Sequence, residues 1–156
     1  MRRPIKRRDP VSPDRIYNSA KVEKFLGYIM ESGKKEIAMK IVYNAFDYIK
    51  EKEKGANPLD IFENAIKNSS PLMEVRSRRI GGANYQVPRE VRPERRLSLS
   101  MRWIIEAAKS KKGAKMFKKL GDEIILASKG EGEAVKKREN THKMAESNKA
   151  FAHFSW

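Results

Sequence analysis

Apolar residues recur at helical spacing along most of the chain, and the breaks in that spacing fall on glycine, proline and charge-rich stretches. Val22, Phe25, Leu26 and Ile29 share one face of a first helix that follows Ser19, a suitable N-cap, and Gly33 suits its end. A second helix from about Lys34 carries Ile37, Ile41, Ala45 and Ile49 in a stripe widened by Ala38, Val42 and Phe46, and Gly55 stops it. Asn57-Pro58 opens a third, because asparagine caps well and proline at the first helical position has no N–H to leave unpaired. Its apolar face is Leu59, Phe62, Ala65 and Ile66, and Pro71 closes it. Pro93 opens a fourth helix with Leu97, Met101, Ile105 and Ala108 inward, while Phe117, Leu120, Ile124 and Ala127 mark a fifth. Beyond Gly130 and Gly132, the stretch from Ala134 to about Lys149 alternates charge with few apolar residues. This sixth helix is expected to be peripheral, needing a partner or tolerating solvent.

One stretch departs from the helical period. Two β-prone runs, centred on Val75–Ile80 and Tyr85–Pro88, flank Gly81-Gly82-Ala83-Asn84, a turn sequence suited to positive φ, which predicts a hairpin over about 73–90. Pro88 cannot donate to a ladder and belongs at an edge or strand end, and no other run offers a partner strand. The hairpin is therefore expected to stand alone as an arm. The predicted fold is mainly α, a single domain of about six helices with one protruding β-hairpin arm between helices 3 and 4. Residues 1–18 form a basic extended arm, 19–149 the helical domain, and 150–156 an aromatic tail.

Length and composition sharpen this picture. A chain of 156 residues suffices for one real core. No apolar run approaches the ~20 residues of a membrane span, and the N-terminus lacks a signal-type apolar segment, so an intracellular soluble protein is expected. The absence of cysteine excludes disulfides and thiolate chemistry, and two histidines are too few for a histidine-rich metal centre. The acidic residues read as solvated or i,i+4-paired charges. Ser69, Ser98, Ser100 and Ser110 lack a nucleophile setting, and Gly81-Gly82 lacks the Gly-Lys-Ser/Thr ending of a nucleotide loop. Neither enzymatic activity nor a cofactor or metal is expected.

The net charge of +15 points to a polyanion. Every basic residue from Pro71 to Arg102 is arginine: Arg76, Arg78, Arg79, Arg89, Arg92, Arg95, Arg96 and Arg102. The planar guanidinium pairs bidentately with phosphate, whereas a merely solvated basic face usually uses lysine as well. Arg2, Arg3, Lys6, Arg7 and Arg8 make a phosphate patch if the N-terminal arm docks, or else a solubilising tail. Lys34 and Lys35, then Lys109, Lys111, Lys112 and Lys115 around a turn-prone linker, extend the charge. The aromatic tail either folds back on the core, stacks on a base or packs on another protein. Besides RNA binding, two other classes fit parts of the pattern. An architectural DNA binder would insert the ribbon and Pro88 into a minor groove, but no heptads or dimer face supply paired arms. An RNA-processing enzyme lacks acid–base or metal residues.

Several segments together resemble the bacterial small-subunit ribosomal protein seven family over the full length: Gly33-Lys34-Lys35, Lys40-Ile41-Val42-Tyr43, Ala65-Ile66-Lys67-Asn68, Val75 through Pro88 with Arg92-Pro93-Glu94-Arg95-Arg96, Val135 through Glu139, and His142 through Phe154. Ser155 departs from the pattern, standing where a basic residue is expected before Trp156. The resemblance implies a cytoplasmic ribosomal protein, monomeric when free, that binds the 3′ major domain of small-subunit rRNA and organises the subunit head. The basic residues named above, apart from Arg89, are then its rRNA contacts. It also implies proximity of Gly81, Gly82, Ala83, Asn84, Tyr85, His142, Lys143, Lys149 and His153 to exit-site tRNA and mRNA. Neighbouring proteins, including small-subunit protein eleven, and repression of its own operon are implied as well.

Overall fold

The computed structural model describes residues 11–154. Among the described residues there are six α-helices: α1 (Ala20–Ile29), α2 (Lys35–Lys52), α3 (Pro58–Ser69), α4 (Pro93–Ser110), α5 (Met116–Ser128) and α6 (Glu133–Ser147). Strands β1 (Met73–Ile80) and β2 (Ala83–Glu90) lie between α3 and α4, and a 3-10 helix, Lys149–Phe154, follows α6. The expected mainly α fold with one hairpin is the observed one.

Helices α1 to α5 close around a continuous apolar core that includes Val22, Phe25, Val42, Phe46, Phe62, Met101, Ile104, Leu120 and Ile124, each fully shielded from solvent. Phe25 and Phe46 both pack on Phe62, with ring centroids 4.9 and 5.6 Å away. The stripe on α2 is rotated from its expected centre: Ile37 is 53% exposed and Ile41 half-buried, while Ala38, Val42, Ala45, Phe46 and Ile49 face inward. At ~100° per residue, a one-residue shift in the assumed centre moves a side chain off the core face. The α1 helix ends at Ile29, and Gly33, at φ +73°, sits in the loop just before α2 instead of ending α1.

Ser19 occupies the N-cap position of α1 but makes no side-chain cap bond. The nearby acceptor is Asp14, which is buried. Its Oδ2 receives the N–H groups of Ile16 and Tyr17 at 3.1 and 3.0 Å, and its Oδ1 receives the Tyr43 hydroxyl at 2.5 Å. Burial alone would raise the Asp14 pKa, but these hydrogen bonds favour the carboxylate more and hold it below the ordinary value. Burial and the same carboxylate push the Tyr43 phenol up to about 12. Tyr17 packs edge-on against Phe46 at 5.0 Å. Residues 14–18 are thus a turn anchored on α2 and not an extended arm, because one buried carboxylate collects their backbone donors. The basic patch Arg2, Arg3, Lys6, Arg7 and Arg8 lies outside the described residues, as do Ser155 and Trp156.

The expectation that the acidic residues are solvated or i,i+4-paired charges fails at Asp14 and again at Glu123. Glu123 is completely buried in α5, its Oε1 accepts the Ala134 N–H at 3.1 Å, and Lys111 Nζ lies 2.5 Å from Oε2. Glu123 therefore caps the start of α6 from a different helix. Gly132 makes this possible: its φ is +97°, and a Cβ there would come within 2.8 Å of Glu123 Oε1.

Candidate nucleic-acid interface

The hairpin is antiparallel, with Arg78 opposite Tyr85, Arg76 opposite Val87 and Val75 opposite Pro88. Gly81 and Gly82 alone form the turn, at φ +58° and +90°, the positive values that a two-residue hairpin loop of matching twist requires. Ala83 and Asn84, expected at the tip, are the first rungs of β2. Because successive residues alternate faces, the register puts Arg76, Arg78 and Arg89 on one face and Arg79 on the other.

The arm does not stand alone. Helix α6 packs along β1 and the 3-10 helix along β2. The Leu72 N–H donates to His142 Nε2 at 2.9 Å, so that ring nitrogen carries no proton. Burial, with a smaller contribution from the Arg138 guanidinium, lowers the His142 pKa and favours this neutral form. Arg138 Nη1 donates to the Asn68 carbonyl at 2.7 Å, while the Asn68 amide donates to the carbonyls of Ala127 and Ser128 at 3.0 and 2.8 Å. Asn68 thus joins the ends of α3 and α5 to α6. The role of Arg138 was legible only as one more charge on a polar helix. At the far end, Tyr85 lies between Phe151 and Phe154, at 5.4 and 5.3 Å, and Arg78 Nη1 donates to the Phe154 carbonyl at 3.0 Å. The described residues of the aromatic tail, 150–154, fold back onto the hairpin and not onto the helical core, and Tyr85 is half-buried beneath them.

The remaining sequence-predicted basic residues divide into two groups. Some already have protein partners. Arg95 bridges to Glu74 at 2.8 Å, and Arg96 Nε donates to the Val91 carbonyl at 2.8 Å with Glu90 at 3.4 Å, which ties the start of α4 to the hairpin base. Lys35 pairs with Glu23 at 2.5 Å, Lys109 with Glu31, and Lys111 with buried Glu123. Lys111 is the least available of these, since releasing it would strand a buried carboxylate. Arg102 lies over the Tyr28 ring at 5.3 Å. Arg76, Arg79, Arg92, Lys34, Lys112 and Lys115 are exposed and make no ion pair among the described residues.

Three of these exposed cations occupy N-cap positions. Lys34, Arg92 and Lys115 precede α2, α4 and α5, and none of these helix starts has a side-chain cap. The starts of α3 and α6, by contrast, are capped by Asn57 and Glu123. An uncapped helix start presents unpaired N–H groups and the positive end of the helix dipole, and a neighbouring cation completes a setting for phosphate.

Of the residues expected near tRNA and mRNA, Gly81, Gly82, Ala83 and Asn84 are exposed at the hairpin end, and Lys143, Lys149 and His153 are exposed on α6 and the tail. His142 and Lys149 line one apolar cavity with Leu72, Met73, Pro88 and Ala145, at the hairpin base. Among the described residues there is no cluster of acidic, histidine or cysteine side chains able to hold a metal ion, and no helix long and apolar enough to cross a membrane.

A family model described as ribosomal protein S7p/S5e matches residues 1–149. The chain is 60% identical over 146 residues to small ribosomal subunit protein uS7 of Francisella tularensis subsp. holarctica (strain OSU18), covering 94% of this chain and 93% of that protein. It is 56% identical over 152 residues to the protein of the same name from Thermoanaerobacter sp. (strain X514), covering 97% and 96%.

Proposed function

The chain belongs to the ribosomal protein S7p/S5e family, and from that premise we propose that this structural, non-enzymatic component of the small ribosomal subunit is a primary rRNA-binding protein. It binds the 3′ major domain and nucleates assembly of the head. The observation that best supports this reading is the pairing of uncapped helix starts with exposed cations at Lys34, Arg92 and Lys115, beside a hairpin whose Arg76 and Arg79 face solvent on opposite sides. Double-stranded RNA hides its bases in a deep groove, so a protein that organises helical junctions works through phosphates and shape. Separated phosphate sites on three helices, with an arm that reaches outward, suit that task.

In the assembled subunit, the exposed Gly81-Gly82 turn carries no charge to anchor rRNA and is free to approach exit-site tRNA and mRNA. Neighbouring proteins of the head and platform, among them small-subunit protein eleven, meet the face formed by the hairpin and tail. Binding of the chain's own messenger, and so repression of its operon, would use the same phosphate sites. Filter binding to the isolated 3′ major domain over a salt series tests the central claim. Replacing Lys34, Arg92 and Lys115 together by alanine is expected to lower the slope of log K against log salt by roughly 2–3. An unchanged slope would remove these helix starts from the interface.

A further inference from the structure

Charge alone groups Lys111 with Lys112 and Lys115, but their surroundings differ. Helix α4 ends at Ser110 and α5 begins at Met116, so residues 111–115 turn the chain between them. Lys112, Gly113, Ala114 and Lys115 are all exposed, and residues 112–114 make no backbone hydrogen bond among the described residues. A loop with so few internal bonds takes its shape from whatever holds its ends. At the far end Met116 packs against the core. At the near end Lys111 Nζ lies 2.5 Å from Oε2 of Glu123, whose side chain has no exposed area. Oε1 is committed to the Ala134 N–H, and no hydrogen-bond donor among the described residues serves Oε2, so the ammonium alone offsets that oxygen. Removing Lys111 would leave a buried carboxylate uncompensated, and an approaching phosphate therefore does not recruit it.

We propose that buried Glu123, acting through Lys111, is a positioning residue for RNA binding. The pair fixes the start of the 111–115 loop so that Lys112 and Lys115 meet phosphate together at the uncapped start of α5, and Lys111 itself makes no phosphate contact. A loop held in shape before RNA arrives loses less freedom on binding, and that saving appears as affinity. The inference rests on the RNA-binding reading above. It gives an acidic residue a favourable part in binding a polyanion, the opposite of what its charge would suggest.

Glu123→Gln in the full-length chain supplies the test. Glutamine keeps the shape and an oxygen for the Ala134 N–H, which turns its NH2 group toward the Lys111 ammonium, and two donors cannot bond. The loop is released while a negative charge is lost. In filter binding to the 3′ major domain at fixed salt, Glu123→Gln is expected to bind several-fold more weakly than the unaltered chain. In a Lys112→Ala/Lys115→Ala background the same change is expected to have no effect, because the groups it positions are gone. Equal or tighter binding by Glu123→Gln, or the same loss in both backgrounds, overturns the proposal, as does a background pair that binds like the unaltered chain. Lys111→Met/Glu123→Gln, which removes the whole pair, is expected to repeat both results, and circular dichroism melting of each variant reports whether the helical core is intact. An unaltered chain that fails to bind the domain overturns the broader reading; binding that ignores Glu123 removes only the positioning role.

Discussion

The helical core and the arm are held together by different physics. Helices α1 to α5 share a core of fully shielded aromatic and aliphatic side chains, whereas β1 buries no residue at all and β2 only Val87 and Pro88. The arm is kept in place at separate points, by the bonds of Leu72 to His142, Arg95 to Glu74 and Arg78 to Phe154 and by the rings of Phe151 and Phe154 against Tyr85. Apolar burial is non-directional and shared, so it melts as a unit. Polar contacts of ~1 kcal/mol each open one at a time. An assembly protein gains from that division, since its core must persist while its arm adapts to RNA.

The most severe way to break the contrast is to excavate the core. Phe46→Ala removes a ring at the centre of the aromatic cluster and is expected to lower stability by ~3–5 kcal/mol in urea unfolding, abolishing protection in core and arm together. Retained global stability would mean that the core is not one cooperative unit.

Glu123 comes next, because from the core it caps α6, the helix that packs along β1. Glu123→Ala strands Lys111 and uncaps α6, with an expected cost of ~2–4 kcal/mol by the same measurement. Amide exchange should quicken first around Ala134, where the bond is lost.

His142 separates the regions more cleanly. His142→Ala removes the acceptor for the Leu72 N–H at the entry to β1 and is expected to cost ~1 kcal/mol locally, with faster exchange in 72–76 and an unchanged midpoint for the helices. Acid should mimic it. The folded-state pKa lies below the ordinary histidine value, so the unfolded chain binds more protons in that range and stability rises with pH. The contribution is complete above about pH 6.5 and disappears as pH falls through the lowered folded-state value. Exchange at Leu72 that is independent of pH, once the intrinsic rate is corrected, would contradict the neutral acceptor.

The smallest effect is expected at the hairpin base. Arg95 is half-exposed, so a double-mutant cycle on Arg95 and Glu74 should give a coupling of only ~0.2–1 kcal/mol, decreasing with salt. A larger coupling would make this pair a structural tie and would argue against its exchange for phosphate.

Much of the core was legible because helix periodicity is a local property: Val22, Phe25, Leu26 and Ile29 face inward wherever the helix docks. The Gly81-Gly82 turn was legible for the same reason, since positive φ is a requirement of the residue itself. The basic residues were legible as charge, but not as geometry. Nothing local distinguishes Lys111, committed to a buried carboxylate eleven residues from the helix start that this carboxylate caps, from exposed Lys112 one position along.

By itself, then, the sequence determined the helices, the hairpin with its turn and the excess of arginine, all of which follow from dihedral preference, spacing and composition within a few residues. Only the tertiary structure decided that α6 and the tail brace the arm, that Asp14 ties residues 14–18 to α2, and which cations remain exposed. Those outcomes depend on pairs far apart in the chain, such as Leu72 with His142 and Arg78 with Phe154, and no local pattern records the meeting of two such residues. The closing reason is energetic. Each of these pairs contributes about as much as a single hydrogen bond, too little to impose a periodic signature on the sequence, yet enough to choose among the placements that the core leaves open.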